Sequence, residues 1–245
     1  MFGWLQKRDR PPIATQFQTD IHSHLLPGVD DGAKELSESL SLIEKMVSLG
    51  YEQLIITPHV MADAYPNSAV GLKEHFIVLQ RACEATNIDV KLGLSAEYYL
   101  DEGFLPLLES GEILSFGKSN YLLFETSYMA KPNTMLDMIY QMKLAGYKPV
   151  MAHPERYRYV KDLEKEYGAL RELEVLFQID ATSLGGFYGK DACKKAHFLL
   201  EKGWIDFVGS DTHKMRHLEQ LEEIFAQHKI WNRLFRLNTI LNITL

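Results

Sequence analysis

The residues best equipped for chemistry in this sequence are histidines and carboxylates that recur after short apolar runs. Phe17–Ile21 leads into His22-Ser23-His24, Gln53–Ile56 into Thr57-Pro58-His59, Val90–Leu94 into Ser95-Ala96-Glu97, and Tyr121–Phe124 into Glu125. Farther on, Pro149–Ala152 leads into His153, Leu176–Ile179 into Asp180, and Asp206–Val208 into Gly209-Ser210-Asp211-Thr212-His213. Imidazole and carboxylate donors without thiolate suit zinc, manganese or iron rather than a closed structural cysteine site. In extended backbone, residues i and i+2 share a face, so His22/His24 and Asp211/His213 can each aim two donors inward. The loop after His24 adds Asp30 and Asp31 on a turn shaped by Pro27, Gly28 and Gly32. Two divalent ions about 4 Å apart bring a bridging water toward neutral pKa and clamp both oxygens of an in-line displacement. The expected chemistry is therefore hydrolysis of a phosphate ester, through a metal-bridging hydroxide. Phosphate monoesters are dianions that hydrolyse extremely slowly unaided, so a cavity rich in cations supplies the stabilisation they need.

For these groups to meet, the seven runs must be strands whose C-terminal ends face one cavity. Between them lie amphipathic stretches over 37–50, 71–86, 132–145, 163–173, 190–202 and 217–228, and strands alternating with helices imply parallel βα units. The stripe Leu40/Ile43/Val47 marks the first helix, and Gly50 suits its C-cap. The link between the third and fourth strands is irregular. In a closed parallel barrel every strand end lies on the rim that carries the active site, which would gather the distant donors. No repeat, linker or low-complexity segment interrupts the pattern, so the chain is read as a leader over 1–16 followed by one domain over 17–245.

Composition narrows the alternatives. Of 245 residues, 46% are hydrophobic and 24% charged, which fits a globular protein and excludes disorder, collagen and coiled coil. A net charge of −7 argues against a general binder of nucleic acid or anionic membrane. No apolar run reaches a membrane span, and the N-terminus lacks a signal-peptide core, so a cytoplasmic protein without membrane insertion is expected. Neither G-x-x-x-x-G-K-[ST] nor G-x-G-x-x-G occurs. Two cysteines, Cys83 and Cys193, sit in helix-like stretches, and neither has an arginine six residues on, so the C-x5-R cysteine-phosphatase mechanism is excluded.

Several strings carry a family resemblance. Asp20-Ile-His22-Ser-His24-Leu-Leu-Pro-Gly-Val-Asp30-Asp31-Gly32, Thr57-Pro-His59, Ala96-Glu97-Tyr-Tyr, Glu125, Ala152-His153-Pro-Glu-Arg156-Tyr157 and Ser210-Asp211-Thr-His213 follow one another in order. In these the chain resembles the polymerase and histidinol phosphatase (PHP) superfamily, and within it the bacterial capsule and exopolysaccharide metal-dependent tyrosine phosphatases. The resemblance implies an α/β fold, a distorted (β/α)7 TIM-like barrel, with three divalent metals, manganese first, with iron or zinc as alternatives. It implies that His22, His24, Glu97 and Asp211 hold the first metal, and that Glu97 bridges to a second held by Glu125 and His153. Asp31, His59 and His213 would hold the third. Arg156 and Arg216 map onto the family's phosphate-binding arginines, with Arg156 able to grip phosphate through its planar fork. The implied substrate is phosphotyrosine on a protein partner, a bacterial tyrosine kinase controlling capsular or exopolysaccharide synthesis, which would recruit the enzyme to the inner membrane face. A small-molecule phosphatase, such as one acting on histidinol phosphate, and a catalytically silent metal-stabilised binding module stand as alternatives.

Other residues carry weaker expectations. A phosphotyrosine leaves as a phenolate of pKa about 10, so it depends little on a dedicated general acid. Tyr98, Tyr99, Tyr128, Tyr157 and Tyr188 fall in rim loops where aromatic walls can hold its ring. Asp180 is read as a turn support rather than a ligand, and His75, His197 and His228 as helix residues in surface or packing roles, with His217 on a helix but left open. The leader Met1–Arg10 pairs Phe2, Trp4 and Leu5 with Lys7, Arg8 and Arg10, a combination that would allow a weak docking arm toward a membrane-bound kinase.

Overall fold

Short, fully apolar runs buried on both faces favour parallel pairing, and every strand in the computed structural model runs parallel to its neighbours. The structure describes Gln16 and residues 18–245; the rest of the leader, with its docking arm, and Phe17 lie outside the described residues. Among the described residues nine strand segments occur: β1 Thr19–Asp20, β2 Gln53–Ile56, β3 His59–Val60, β4 Lys91–Leu94, β5 Glu97–Tyr99, β6 Tyr121–Glu125, β7 Lys148–Ala152, β8 Leu176–Asp180 and β9 Phe207–Gly209. They form two parallel sheets, β1-β2-β4 and β3-β5-β6-β7-β8-β9.

Each of the seven expected runs contains a strand, and the two additional segments have a local cause. The chain passes from β2 to β3 through Thr57-Pro58 and from β4 to β5 through Ser95-Ala96, stepping from one sheet to the other. Pro58 offers no N–H, and its carbonyl accepts from Glu97 N at 3.0 Å. His59 and Glu97 therefore open new segments just beyond a break instead of trailing off a strand. Past β1 and β9, Ser23 and Thr212 form an isolated parallel bridge, with Asp211 N donating to His22 O at 2.8 Å and His24 N to Thr212 O at 2.9 Å. This contact sets the first and last ligand-bearing segments side by side.

The helices are α1 Leu36–Leu49, α2 Ala69–Ala85, α3 Phe104–Ser110, α4 Met135–Leu144, α5 Leu163–Glu172, α6 Lys190–Lys202, α7 Met215–Phe225 and α8 His228–Leu237. The buried face of α1 is Leu42, Ile43, Met46 and Leu49, one step round from the expected stripe, so Leu40 and Val47 only flank it. Gly50 ends α1 at φ 107°, as a left-handed C-cap requires. Strand alternation divides the core: Leu122, Phe124 and Met151 pack toward the helices, while Leu123 and Val150 meet Ile21, Ile55 and Phe207 on the other face. Cys83 is buried on α2 and Cys193 half-buried on α6. Among the described residues no helix is long and apolar enough to cross a membrane.

Candidate metal centre

His22 and His24 leave the β1 end with both rings fully buried, and each ring is anchored at its far nitrogen. His22 Nδ1 donates to Gln178 Oε1 at 2.7 Å, and His24 Nδ1 to Asp30 Oδ2 at 2.8 Å. Such outer partners fix the tautomer and leave Nε2 as the donor to a metal. Both Nε2 atoms face Glu97 and Asp211: His22 Nε2 lies 3.2 Å from Glu97 Oε2 and 3.3 Å from Asp211 Oδ1, and His24 Nε2 lies 3.4 and 3.3 Å from the same oxygens. These four residues come from three distant parts of the chain and are all buried.

Glu97 also faces the neighbouring groups. Its Oε1 is 2.9 Å from His153 Nε2, which is 3.8 Å from Glu125 Oε2. His59 stands between the second and third expected groups: its Nδ1 is 3.1 Å from Glu97 Oε2 and 3.2 Å from Glu125 Oε1, while Nε2 is 3.5 Å from Asp31 Oδ1. His213 Nε2 lies 3.3 Å from the same Asp31 oxygen and its ring stacks on His24 at 3.9 Å. All nine expected donors thus converge on one place.

The donors fit a metal. Glu97 Oε2 and His59 Nδ1 are buried without a hydrogen bond, although nitrogens and carboxylate oxygens crowd at 3.1–3.5 Å around them. Several lone pairs sharing one small volume without pairing is what a first-row divalent ion needs and what a hydrogen-bonded core avoids.

Backbone strain collects at the same place. His153 sits at φ 33° and Asp211 at φ 45°, in the left-handed region that few non-glycine residues adopt. Strand alternation thus accounts for His22 and His24, but Asp211 reaches the cluster by a kink. Two glycines permit the close packing. A Cβ on Gly32 would lie 2.0 Å from His24 O, and one on Gly209 would lie 2.7 Å from His22 Cβ and 2.6 Å from Gln178 Nε2.

Electrostatics bind the cluster together. Burial alone would depress His22, but Glu97 and Asp211 overcome it and push its pKa up to about 9. Burial and the charge on His24 likewise oppose protonation of His59, yet Glu97 and Glu125 raise it to about 10. For Asp211 burial favours the neutral form, and His22, His213 and His24 outweigh it, holding the carboxyl well below its usual range.

Of the two arginines, Arg156 is at the site. It ends a one-turn 3-10 helix, Pro154–Arg156, and its Nη1 donates to Asp211 Oδ2 at 2.5 Å. Its guanidinium lies 4.7 Å from the Tyr128 ring and 4.1 Å from that of Tyr188. Arg216 is exposed on α7 and borders a side cavity with Arg156, Asp31 and His213.

A cavity of about 410 Å³ opens onto the donors, lined also by Tyr65, Tyr99, Tyr128 and Arg156. The expected tyrosines divide: Tyr99, Tyr128 and Tyr188 border the cavity over the donors or the one beside it, whereas Tyr98 and Tyr157 are buried away from both. Tyr98 Oη accepts from Leu114 N, and Tyr157 donates to Ala152 O, so both hold backbone in place. Sequence reasoning missed Tyr65, whose ring stacks on His59 at 5.6 Å. It also missed Gln178, though a glutamine inside an apolar strand was the available signal. Asp30 supports rather than ligates, accepting from His24, Gly32 N and His59 N. Asp180 caps the turn over 181–185 through Thr182, as expected. His217 Nδ1 accepts from His213 N at 3.0 Å, holding a ligand-bearing loop.

The chain is similar to known proteins in sequence and in fold. Residues 18–227 match the family model for capsular polysaccharide synthesis, CpsB/CapC. The chain is 30% identical over 212 residues to the tyrosine-protein phosphatase YwqE of Bacillus subtilis, covering 86% of this chain and 84% of that one. It is 28% identical over 217 residues to the tyrosine-protein phosphatase CpsB of Streptococcus pneumoniae, covering 85% and 89%. A solved chain from the crystal structures of these two proteins, described as unique metal-dependent tyrosine phosphatases, superposes with a TM-score of 0.77 at 27% identity, over 91% of this chain and 96% of that one.

Proposed function

The chain belongs to the CpsB/CapC family of capsular polysaccharide synthesis, and from that premise we propose that it is a metal-dependent protein-tyrosine phosphatase, a phosphoric monoester hydrolase. The observation that carries the reading is the convergence of His22, His24, Glu97 and Asp211 on one buried point beside Arg156. We assign three divalent ions, manganese, iron or zinc, to the nine donors. His22, His24, Glu97 and Asp211 hold the first, Glu97, Glu125 and His153 the second, and Asp31, His59 and His213 the third. Bound there, the metals supply a nucleophilic water at neutral pH and positive charge against the phosphate. The fold is read as a distorted seven-stranded barrel, which the paired segments β2/β3 and β4/β5 and the Ser23–Thr212 bridge support.

The protein's own groups do the rest. Arg156, kept cationic by Asp211, offers a fork to the phosphate dianion and is held by the two tyrosine rings. Tyr65, Tyr99 and Tyr128 border a space of about 410 Å³, large enough to admit a phenyl ring. Arg216 adds positive charge from the side. The proposed substrate is phosphotyrosine on a bacterial tyrosine kinase of capsule or exopolysaccharide synthesis, met in the cytoplasm at the membrane's inner face.

The test is hydrolysis of a phosphotyrosine peptide and of histidinol phosphate side by side, with EDTA and with manganese restored, alongside elemental analysis. Metal-dependent turnover of the peptide is expected; preference for histidinol phosphate, or turnover indifferent to EDTA, overturns the reading.

A further inference from the structure

The cavity over the metal ligands has a larger neighbour. A second cavity of about 730 Å³ adjoins it, and the two share Tyr128, Met129 and Arg156. Beyond that shared wall the second cavity is bordered by Arg158, Lys161 and Lys190. None of these three has a carboxylate within ion-pair distance among the described residues, whereas Lys45, Lys143, Lys202, Arg171 and Arg233 each have one. The one acid on the wall, Asp191, is 2.8 Å from Lys195 Nζ. In a chain of net charge −7, unpaired cations collected in one cavity leave a local positive field that an anion would neutralise.

The position of this cavity says which anion. The phosphate to be cleaved belongs over the metal donors, and Arg156 with Tyr128 forms the boundary between that cavity and the basic one. An anionic group carried on the same substrate, near the reacting tyrosine in sequence, can therefore reach the basic cavity across this boundary. Arg158 N donates to Tyr128 O at 2.7 Å, tying the loop that bears the cations to the loop that walls the metal cavity. The first turn of α6, starting at Lys190 without a side-chain cap, adds its positive end to the same wall.

We propose that this cavity is a substrate subsite for anionic groups flanking the phosphotyrosine, aspartate or glutamate carboxylates or a second phosphotyrosine, gripped by Arg158, Lys161 and Lys190. The proposal rests on the phosphatase reading and gives it a specificity: clustered or acid-flanked phosphotyrosines are favoured over isolated ones.

The experiment compares kcat/KM of the metal-loaded protein on four substrates: free phosphotyrosine, a phosphotyrosine peptide flanked by glutamates on both sides, its glutamine counterpart, and the glutamine peptide carrying a second phosphotyrosine. Either or both anionic peptides should exceed the glutamine peptide by about tenfold, and which of them does so identifies the anion. The advantage should shrink at high salt, since exposed charges are screened. In Arg158→Gln/Lys161→Gln/Lys190→Gln it should collapse, with free phosphotyrosine turned over within about twofold of wild type. Equal kcat/KM on all peptides by the wild type overturns the subsite while leaving the phosphatase intact. An equal loss on every substrate in the triple variant overturns it too, because the cations would then act on the reacting phosphate. No turnover of any phosphotyrosine substrate instead defeats the phosphatase reading beneath it.

Discussion

Arg156 and Asp211 are joined by a 2.5 Å contact between Nη1 and Oδ2, so the residue proposed to grip phosphate is tied to a residue proposed to hold metal. Asp211 Oδ1 meanwhile faces His22 and His24, which makes this carboxylate the hinge between substrate and metal. Arg156→Ala should lower kcat/KM on a phosphotyrosine peptide by about 10²–10³-fold, the range for losing one preorganised charged donor. Lys keeps the charge but not the planar fork, so Arg156→Lys should recover only part of the loss. Kinetics with metal content and melting temperature decide: wild-type kcat/KM in the alanine variant with a lowered melting temperature would make this arginine structural.

The outer partners of the two buried histidines should matter nearly as much as the donors. Gln178→Leu removes the acceptor that orients His22, and Asp30→Ala the one that orients His24. Loss of such partners typically costs 10–100-fold in metal affinity. Titration of the chelator-treated variants with manganese should give affinities lower by that factor, and unchanged affinity in both would remove the orienting role.

Most of the expected donors were legible because they follow apolar runs of strand length, whereas the choice of Asp31 came with the family resemblance and the omission of Asp180 with its place at a turn, neither from side-chain type. What the sequence hid depends on contacts between distant segments. The left-handed backbones of His153 and Asp211 are seen only in the folded chain, and nothing in H-P-E-R-Y or S-D-T-H announces them. Asp30 and Asp31 are adjacent and identical in type, and only the fold turns the first to His24 Nδ1 and the second toward His59 and His213. Two helices escaped for local reasons. In α3, Pro106 reads as a breaker, yet a proline in the first turn removes an N–H that has no partner there. In α8 the pattern that buries Trp231 and Leu234 was present but begins at His228, where the preceding helix had been expected to end.

Thiol chemistry should be irrelevant to turnover. Cys193 Sγ is 3.6 Å from Leu184 O, Cys83 lies buried on α2 with its pKa raised by burial, and neither borders the metal cavity. Alkylation with iodoacetamide should leave phosphotyrosine hydrolysis within about twofold, a range set by the modest effect of surface changes, whereas EDTA should abolish it and a divalent ion restore it. Inactivation that tracks alkylation of either cysteine would count against a metal mechanism.

Glu155 offers a pH test of the scaffold behind the site. Its side chain is fully buried, and Oε1 accepts from Asp180 N at 2.9 Å. Burial first, and the charge of Asp180 second, push its pKa from 4.5 up to about 8. In the unfolded chain the group ionises near 4.5, so between that pH and about 8 the folded protein holds a proton the unfolded chain has released. The contribution to stability is fully present below 4.5 and is lost as pH rises through about 8. Glutamine keeps an acceptor for Asp180 N and cannot ionise. Glu155→Gln should therefore melt higher than wild type at pH 9, with a gap that narrows steadily toward pH 5; each 1 kcal/mol would appear as about 2–4 °C in a domain of this size. Differential scanning calorimetry at pH 5, 7 and 9 reads the gap directly. A gap independent of pH would show that Glu155 has the same pKa folded and unfolded, and that a partner for its charge exists within the fold.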